Sequence, residues 1–80
     1  MKTVVYSKPA CVQCRQTQKT LDSNGVAYDK VDVTVDPNAY DFVTKTLGYM
    51  AAPVVAVFNA AGEVIESWSG FNPEKLATIA

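Results

Sequence analysis

Pro53-Val54-Val55-Ala56-Val57-Phe58 is an unbroken apolar run, rich in β-branched residues and opened by a proline. With no polar side chain to turn towards water, the run reads as a strand covered on both faces. Proline is tolerated at its start because the missing N–H removes no ladder bond there. Asn59-Ala60-Ala61-Gly62 follows as a turn, and beyond it Val64, Glu66 and Trp68 alternate with Glu63, Ile65 and Ser67. The two segments therefore pair as an antiparallel hairpin. A hairpin alone leaves its apolar strand open, so helices must cover it from each side.

The remainder of the chain supplies those layers. Lys2–Tyr6 reads as a first strand, followed by a loop over Ser7–Ala10. The helix formers Arg15, Gln16, Gln18, Lys19 and Leu21 predict a helix from Val12 to about Asn24, with Gly25 suited to a left-handed stop. Ala27–Val33 is a second strand. Asp36-Pro37 places an N-cap before a proline at the first helical position, and Tyr40, Val43 and Leu47 then follow at helical spacing up to Gly48. Asn72-Pro73 repeats the device before a last short helix through Leu76 and Ile79. The order is βαβαββα, an α/β architecture with a mixed four-stranded sheet and helices on both faces. A right-handed first crossover fixes most of the topology and brings the loop after the first strand to the carboxyl edge, where sites of open α/β sheets collect.

Composition narrows the classes of function. The 80 residues make a single domain, 1–80, and with 49% hydrophobic and 19% charged residues the chain has the composition of a self-sufficient globular core. Its first apolar stretch turns polar at Ser7, too early for a signal-peptide core, and no run approaches the roughly 18 residues of a membrane span. We therefore expect a soluble cytoplasmic monomer without membrane contact. A net charge of −1 with no basic stripe gives no electrostatic reason for a nucleic-acid partner.

Cys11-Val12-Gln13-Cys14 holds both cysteines of the chain. On a helix they stand at i and i+3 on one face, near the roughly 5.5 Å Cα separation that a disulfide needs. The first also meets the unpaired N–H groups and positive dipole end of the helix, which favour a thiolate. In a reducing compartment such a pair points to exchange chemistry or metal binding rather than to a structural bridge. Zinc needs four ligands, and two cysteines without any histidine supply them only if two subunits share a site, as in a bridged iron–sulfur cluster. We expect no metal. Cys11, nearer the loop, is the candidate attacking thiolate and Cys14 the resolving thiol. Lys8 stands three residues before Cys11, where it either favours the thiolate or is a solvated loop lysine. Val12 and Gln13 either shape the contact surface of the dithiol or are simply exposed first-turn residues.

Three segments in order carry a more specific signal. Val5-Tyr6-Ser7-Lys8-Pro9-Ala10-Cys11-Val12-Gln13-Cys14, then Leu47-Gly48-Tyr49 with Ala52-Pro53-Val54-Val55, then Trp68-Ser69-Gly70-Phe71 resemble the active-site, middle and C-terminal segments of the NrdH-redoxins. These are small glutaredoxin-like electron donors of the thioredoxin superfamily. The resemblance covers nearly the whole chain and implies a thioredoxin-like fold and a redox-active Cys11–Cys14 disulfide with no bound cofactor. It implies electrons drawn from NADPH through the FAD enzyme thioredoxin reductase and passed to the large subunit of class Ib ribonucleotide reductase. It implies a cis Ala52–Pro53 bond facing the cysteines, with Lys8, Pro9, Val12, Gln13, Ala52 and Pro53 supporting the site. Trp68, Ser69, Gly70 and Phe71 are the candidate docking segment, although an aromatic in a strand is as readily core. The Gly-Gly pair and acidic cap with which true glutaredoxins hold glutathione are absent. A glutathione-dependent glutaredoxin and a non-enzymatic redox-sensing or cluster-binding adaptor are the competing readings. The family pattern also calls for arginine at Asn72, histidine at or near Ser67, glutamine near Ala51 and aspartate at Glu74, and this chain departs from it at each.

Overall fold

A computed structural model describes residues 1–79. Strand β1 (Lys2–Ser7) leads to helix α1 (Val12–Ser23), β2 (Asp29–Asp32) and α2 (Pro37–Asp41), which runs on into a π-helical turn over Phe42–Thr46. Strands β3 (Val54–Phe58) and β4 (Val64–Ser69) and helix α3 (Pro73–Thr78) complete the chain. The sheet order is β2-β1-β3-β4, with β1 parallel to β2 and antiparallel to β3, and β4 antiparallel to β3. The expected βαβαββα order and mixed sheet are therefore present, and β3 is an inner strand.

Alternate residues of the two inner strands feed two separate cores. Val54 and Ala56 join Val4 and Tyr6 beneath Ala39 and Val43 of the α2 layer. Val55 joins Val5 and Trp68 beneath Leu21 of α1 and Leu76 of α3. Val54 to Val57 are each no more than 2% exposed, as the unbroken apolar run requires. The caps also follow the sequence. Asp36 Oδ1 accepts from the Ala39 N–H at 3.1 Å and Asn72 Oδ1 from the Lys75 N–H at 3.1 Å, each with proline next in the chain.

Three expectations need correction. The ladder of β2 is shorter than Ala27–Val33, beginning where Asp29 meets Val4, although the Val33 N–H still donates to the Ser7 carbonyl at 3.0 Å. The second helix is not α-helical throughout, and Tyr40 points outward at 51% exposure. The residues it packs against the sheet are Ala39 and Val43, buried, and Leu47 and Phe42, partly buried; Ala39, Val43 and Leu47 keep a four-residue spacing that overshoots the roughly 3.6 residues of an α-turn. The wider π-turn, closed by the Leu47 N–H on the Phe42 carbonyl at 2.9 Å, keeps all of them against the sheet. There the Phe42 ring meets Tyr6 and Phe58 at centroid distances of 5.9 and 6.1 Å. Finally, the alternation along β4 breaks at a bulge. Val57 pairs with Glu66 and Phe58 with Val64, leaving Ile65 as an extra residue at 52% exposure.

Two substitutions test this account of the core. Leu76 is fully buried where α3 closes over Trp68, so Leu76→Ala should cost about 2–5 kcal/mol in denaturant unfolding. Thr17, also fully buried, has a hydroxyl without a hydrogen-bond partner among the described residues. Thr17→Val, of the same shape, should stabilise the protein by about 1 kcal/mol, and a loss of stability in the same titration would show that the hydroxyl is satisfied after all.

Candidate active site

β1 runs out at Ser7 into the exposed loop Lys8-Pro9-Ala10. Ala10 takes φ 55°, a left-handed conformation that costs a non-glycine residue about 1 kcal/mol. The turn delivers Cys11 to the N-cap of α1 in extended backbone, with φ −111° and ψ 107°. Most N-caps offer an oxygen to the free amides of the first turn. Here sulfur takes that place: the Cys14 N–H donates to Cys11 Sγ at 3.2 Å, while the Arg15 N–H closes the first turn on the Cys11 carbonyl at 3.2 Å. The two sulfurs are bonded, with the Cα atoms 5.2 Å apart, so the i, i+3 spacing closes without displacing the helix. The same amide and the N-terminus of α1 face the Cys11 sulfur, a setting that favours the thiolate form of a cysteine. Exposure separates the two cysteines, at 9% for Cys11 and 2% for Cys14.

Two distant segments are tied to this first turn. Gln13 Oε1 accepts from the Phe71 N–H at 3.0 Å, the Gly70 N–H donates to the Pro53 carbonyl at 2.8 Å, and Ser69 Oγ donates to the Ala51 carbonyl at 2.8 Å. The Ala52–Pro53 peptide is cis. Hydrogen bonds thus gather the cysteine turn, the segment before β3 and the loop after β4 at one edge of the sheet. The departures from the family pattern have local roles. Asn72 caps α3, Ser67 Oγ lies 3.0 Å from the Tyr49 hydroxyl, and Glu74 adds a negative charge to the first turn of α3.

Of the residues singled out from the sequence, Lys8, Pro9, Val12 and Gln13 are exposed, and Val12 leaves 59% of its surface in water. Lys8 enters no ion pair among the described residues. Pro53 is buried behind a half-buried Ala52. Trp68 does not belong to a docking surface. It is 6% exposed and fills the layer between the sheet and helices α1 and α3, so the core reading of this aromatic is the correct one. Phe71 is half-buried against the same cluster, and Ser69 and Gly70 stay partly open. Sequence reasoning passed over Met50, which stands beside Ala51 at 87% exposure. An unpaired apolar residue just ahead of the Ala-Ala-Pro run was the available signal.

The shifted titrating groups lie elsewhere. Burial, helped by the charge of Asp36, raises the pKa of Tyr6, and burial with Asp22 nearby raises that of Tyr28. The Asp32 carboxyl is lowered by accepting from the Thr34 hydroxyl and amide. A groove of about 650 Å³ opens between Met1, Lys2, Val4, Asp29 and Phe58, at the end of β1 away from the cysteines. Among the described residues no three histidine, cysteine or acidic side chains are grouped to hold a metal, and no helix is long and apolar enough to cross a membrane.

Comparison with known proteins agrees with the geometry. The glutaredoxin family model matches residues 3–61. The chain is 36% identical over 78 residues to the glutaredoxin-like protein NrdH of Lactococcus lactis, covering 95% of this chain and 96% of that one. It is also 36% identical over 72 residues to the Gene 56 protein of Mycobacterium phage L5, covering 90% of this chain and 65% of the phage protein. The solved NrdH-redoxin of Escherichia coli superimposes with a TM-score of 0.86 at 26% identity, covering all of this chain and 96% of that one. An N-capping cysteine bonded to its i+3 partner, on a thioredoxin-like sheet that superimposes on that of the Escherichia coli protein, together with the family match over residues 3–61, makes this chain a member of the glutaredoxin family, a glutaredoxin-like thiol–disulfide oxidoreductase of the NrdH type.

Proposed function

We propose that this protein carries electron pairs from thioredoxin reductase to a disulfide in the large subunit of class Ib ribonucleotide reductase, cycling between Cys11–Cys14 disulfide and dithiol. The observation that carries the reading is the Cys11 sulfur at the helix N-cap, held by the Cys14 amide while Cys14 itself is sealed inside. Of the two sulfurs it is the less buried one and the one at the helix N-terminus, and so the nucleophile of this reading. The Cys11 thiolate attacks one sulfur of the partner disulfide, forming a mixed disulfide and releasing the other partner sulfur as a thiolate. Cys14 gives up its proton to the partner thiolate just released and attacks Cys11 Sγ, which closes the Cys11–Cys14 bond and frees the second partner thiolate. Two electrons have then left this chain, and a reductase dithiol restores them with electrons that NADPH supplies through FAD.

Ala52 supports the docking of an extended partner segment. Its backbone N–H and carbonyl bond to no other backbone group among the described residues, which leaves them available to pair with a strand laid beside the cysteines. The choice of thioredoxin reductase over glutathione rests on two things. The glutathione-holding Gly-Gly pair is missing, with Gly70 followed by Phe71, and the NrdH-redoxin of Escherichia coli is a glutaredoxin-like protein with a thioredoxin-like activity profile.

In a coupled assay the protein should reduce insulin with NADPH and thioredoxin reductase, and fail with glutathione and glutathione reductase. Turnover with glutathione alone would overturn the electron source and favour the glutaredoxin reading. The division of labour between the cysteines has its own test on non-reducing gels. Cys14→Ser should accumulate a mixed disulfide with the partner while Cys11→Ser forms none and loses turnover, and the reverse pattern would exchange the two roles.

A further inference from the structure

Gln13 is rooted between the two cysteines, inside the smallest ring that the disulfide closes, yet its side chain bonds to backbone 58 residues away. Its Oε1 accepts from the Phe71 N–H at 3.0 Å, and a β-carbon on Gly70 would stand 3.4 Å from the same oxygen. Gly70, at φ +86°, turns the chain so that its own N–H reaches the Pro53 carbonyl at 2.8 Å. A continuous path therefore leads from the dithiol through Gln13, Phe71 and Gly70 to the segment beside which a partner strand would lie. An exposed glutamine free in water keeps its rotamer freedom, and holding it on one distant amide costs side-chain entropy.

We propose that Gln13 is a positioning residue for disulfide exchange: it sets the spacing between the Cys11–Cys14 turn and the Pro53 segment by clamping the Gly70-Phe71 loop. The clamp acts on substrate placement and not on the sulfur itself, because the hydrogen bond that holds Cys11 Sγ comes from the Cys14 backbone N–H and is independent of the side chain at position 13. Removing the side chain therefore weakens binding of the disulfide substrate and leaves the chemical step as it was. Glutamate, which keeps an acceptor oxygen at the same reach, preserves the clamp.

The test uses the full chain with insulin as substrate and excess dithiothreitol regenerating the dithiol, the uncatalysed rate being subtracted, so it does not depend on which reductase serves the protein. Gln13→Ala should raise KM for insulin about three- to ten-fold with kcat within about two-fold, the range expected for one hydrogen bond of ordinary net strength. The Phe71 amide should exchange with deuterium several-fold faster, while the pH profile of Cys11 alkylation stays in place. Gln13→Glu, which keeps the acceptor oxygen, should keep Phe71 protection within about two-fold of the parent. Unchanged KM and Phe71 exchange in Gln13→Ala would overturn the proposal. So would a fall in kcat without a rise in KM, or Phe71 exchange in Gln13→Glu as fast as in Gln13→Ala.

Discussion

Burial of β3 on both faces is the constraint from which the rest of the molecule follows. Five consecutive apolar residues cannot lie at a water interface, so α1 and α3 close one side of the sheet and the α2 layer the other. In a chain of 80 residues that leaves little for loops, and the connections are correspondingly short. Three of them reach the same edge of the sheet: the turn after β1, the segment entering β3 and the turn leaving β4. The site is built at that edge because short loops there can satisfy one another with Gln13, Ser69 and Gly70 as donors and acceptors. Sheet topology brings the loops together, and hydrogen bonds set their spacing.

Within that frame, the chemistry comes from replacing an oxygen cap by a sulfur one. An N-cap serine or aspartate would accept the same amide and do nothing more. Here a disulfide sulfur accepts it, so the reactive atom stands where the first-turn amides and the helix dipole favour the thiolate form of a cysteine. Cys14, one turn on, lies on the buried stripe of α1 with Thr17 and Leu21. One turn of helix thus separates a sulfur at the N-cap, on the rim of the fold, from one set deeper on the buried stripe, and this asymmetry fits a mechanism in which the first attacks and the second resolves.

Periodicity and punctuation made the element order and the cysteine turn legible in the sequence, because each depends on neighbours a few residues apart. Asp36-Pro37, Asn72-Pro73 and Gly25 act through local hydrogen bonds and backbone angles, so their roles could be read directly. Features decided by tertiary packing could not. Val43 and Leu47 fit an α-helical stripe on paper, but the sheet selects Ala39 and Phe42 as their companions and widens the helix to accept them. Trp68 sits in an alternating strand whose facing layer is known only once α3 has folded over it. The left-handed Ala10 carries no glycine or asparagine to announce it. The bond from Gln13 to Phe71 spans 58 positions, beyond the reach of any local pattern.

A carrier that opens and closes its own disulfide must stay folded in both states, and the size of the ring bears on this directly. Cys11 and Cys14 are three positions apart, so the bridge closes a loop of four residues and in the loop-entropy model contributes only about 2 kcal/mol. Domains of this kind have total stabilities of about 5–15 kcal/mol. Both core clusters, one of them with Leu21, Leu76, Val5 and Val55 at zero exposure, lie outside that ring and do not need it. Reduction therefore removes a small increment from a fold anchored elsewhere, and the helix N-terminus that stabilises the thiolate survives the step that creates it. The same argument explains why the site tolerates a strained Ala10 and an open Ala52: neither lies in the apolar layers that hold the sheet together.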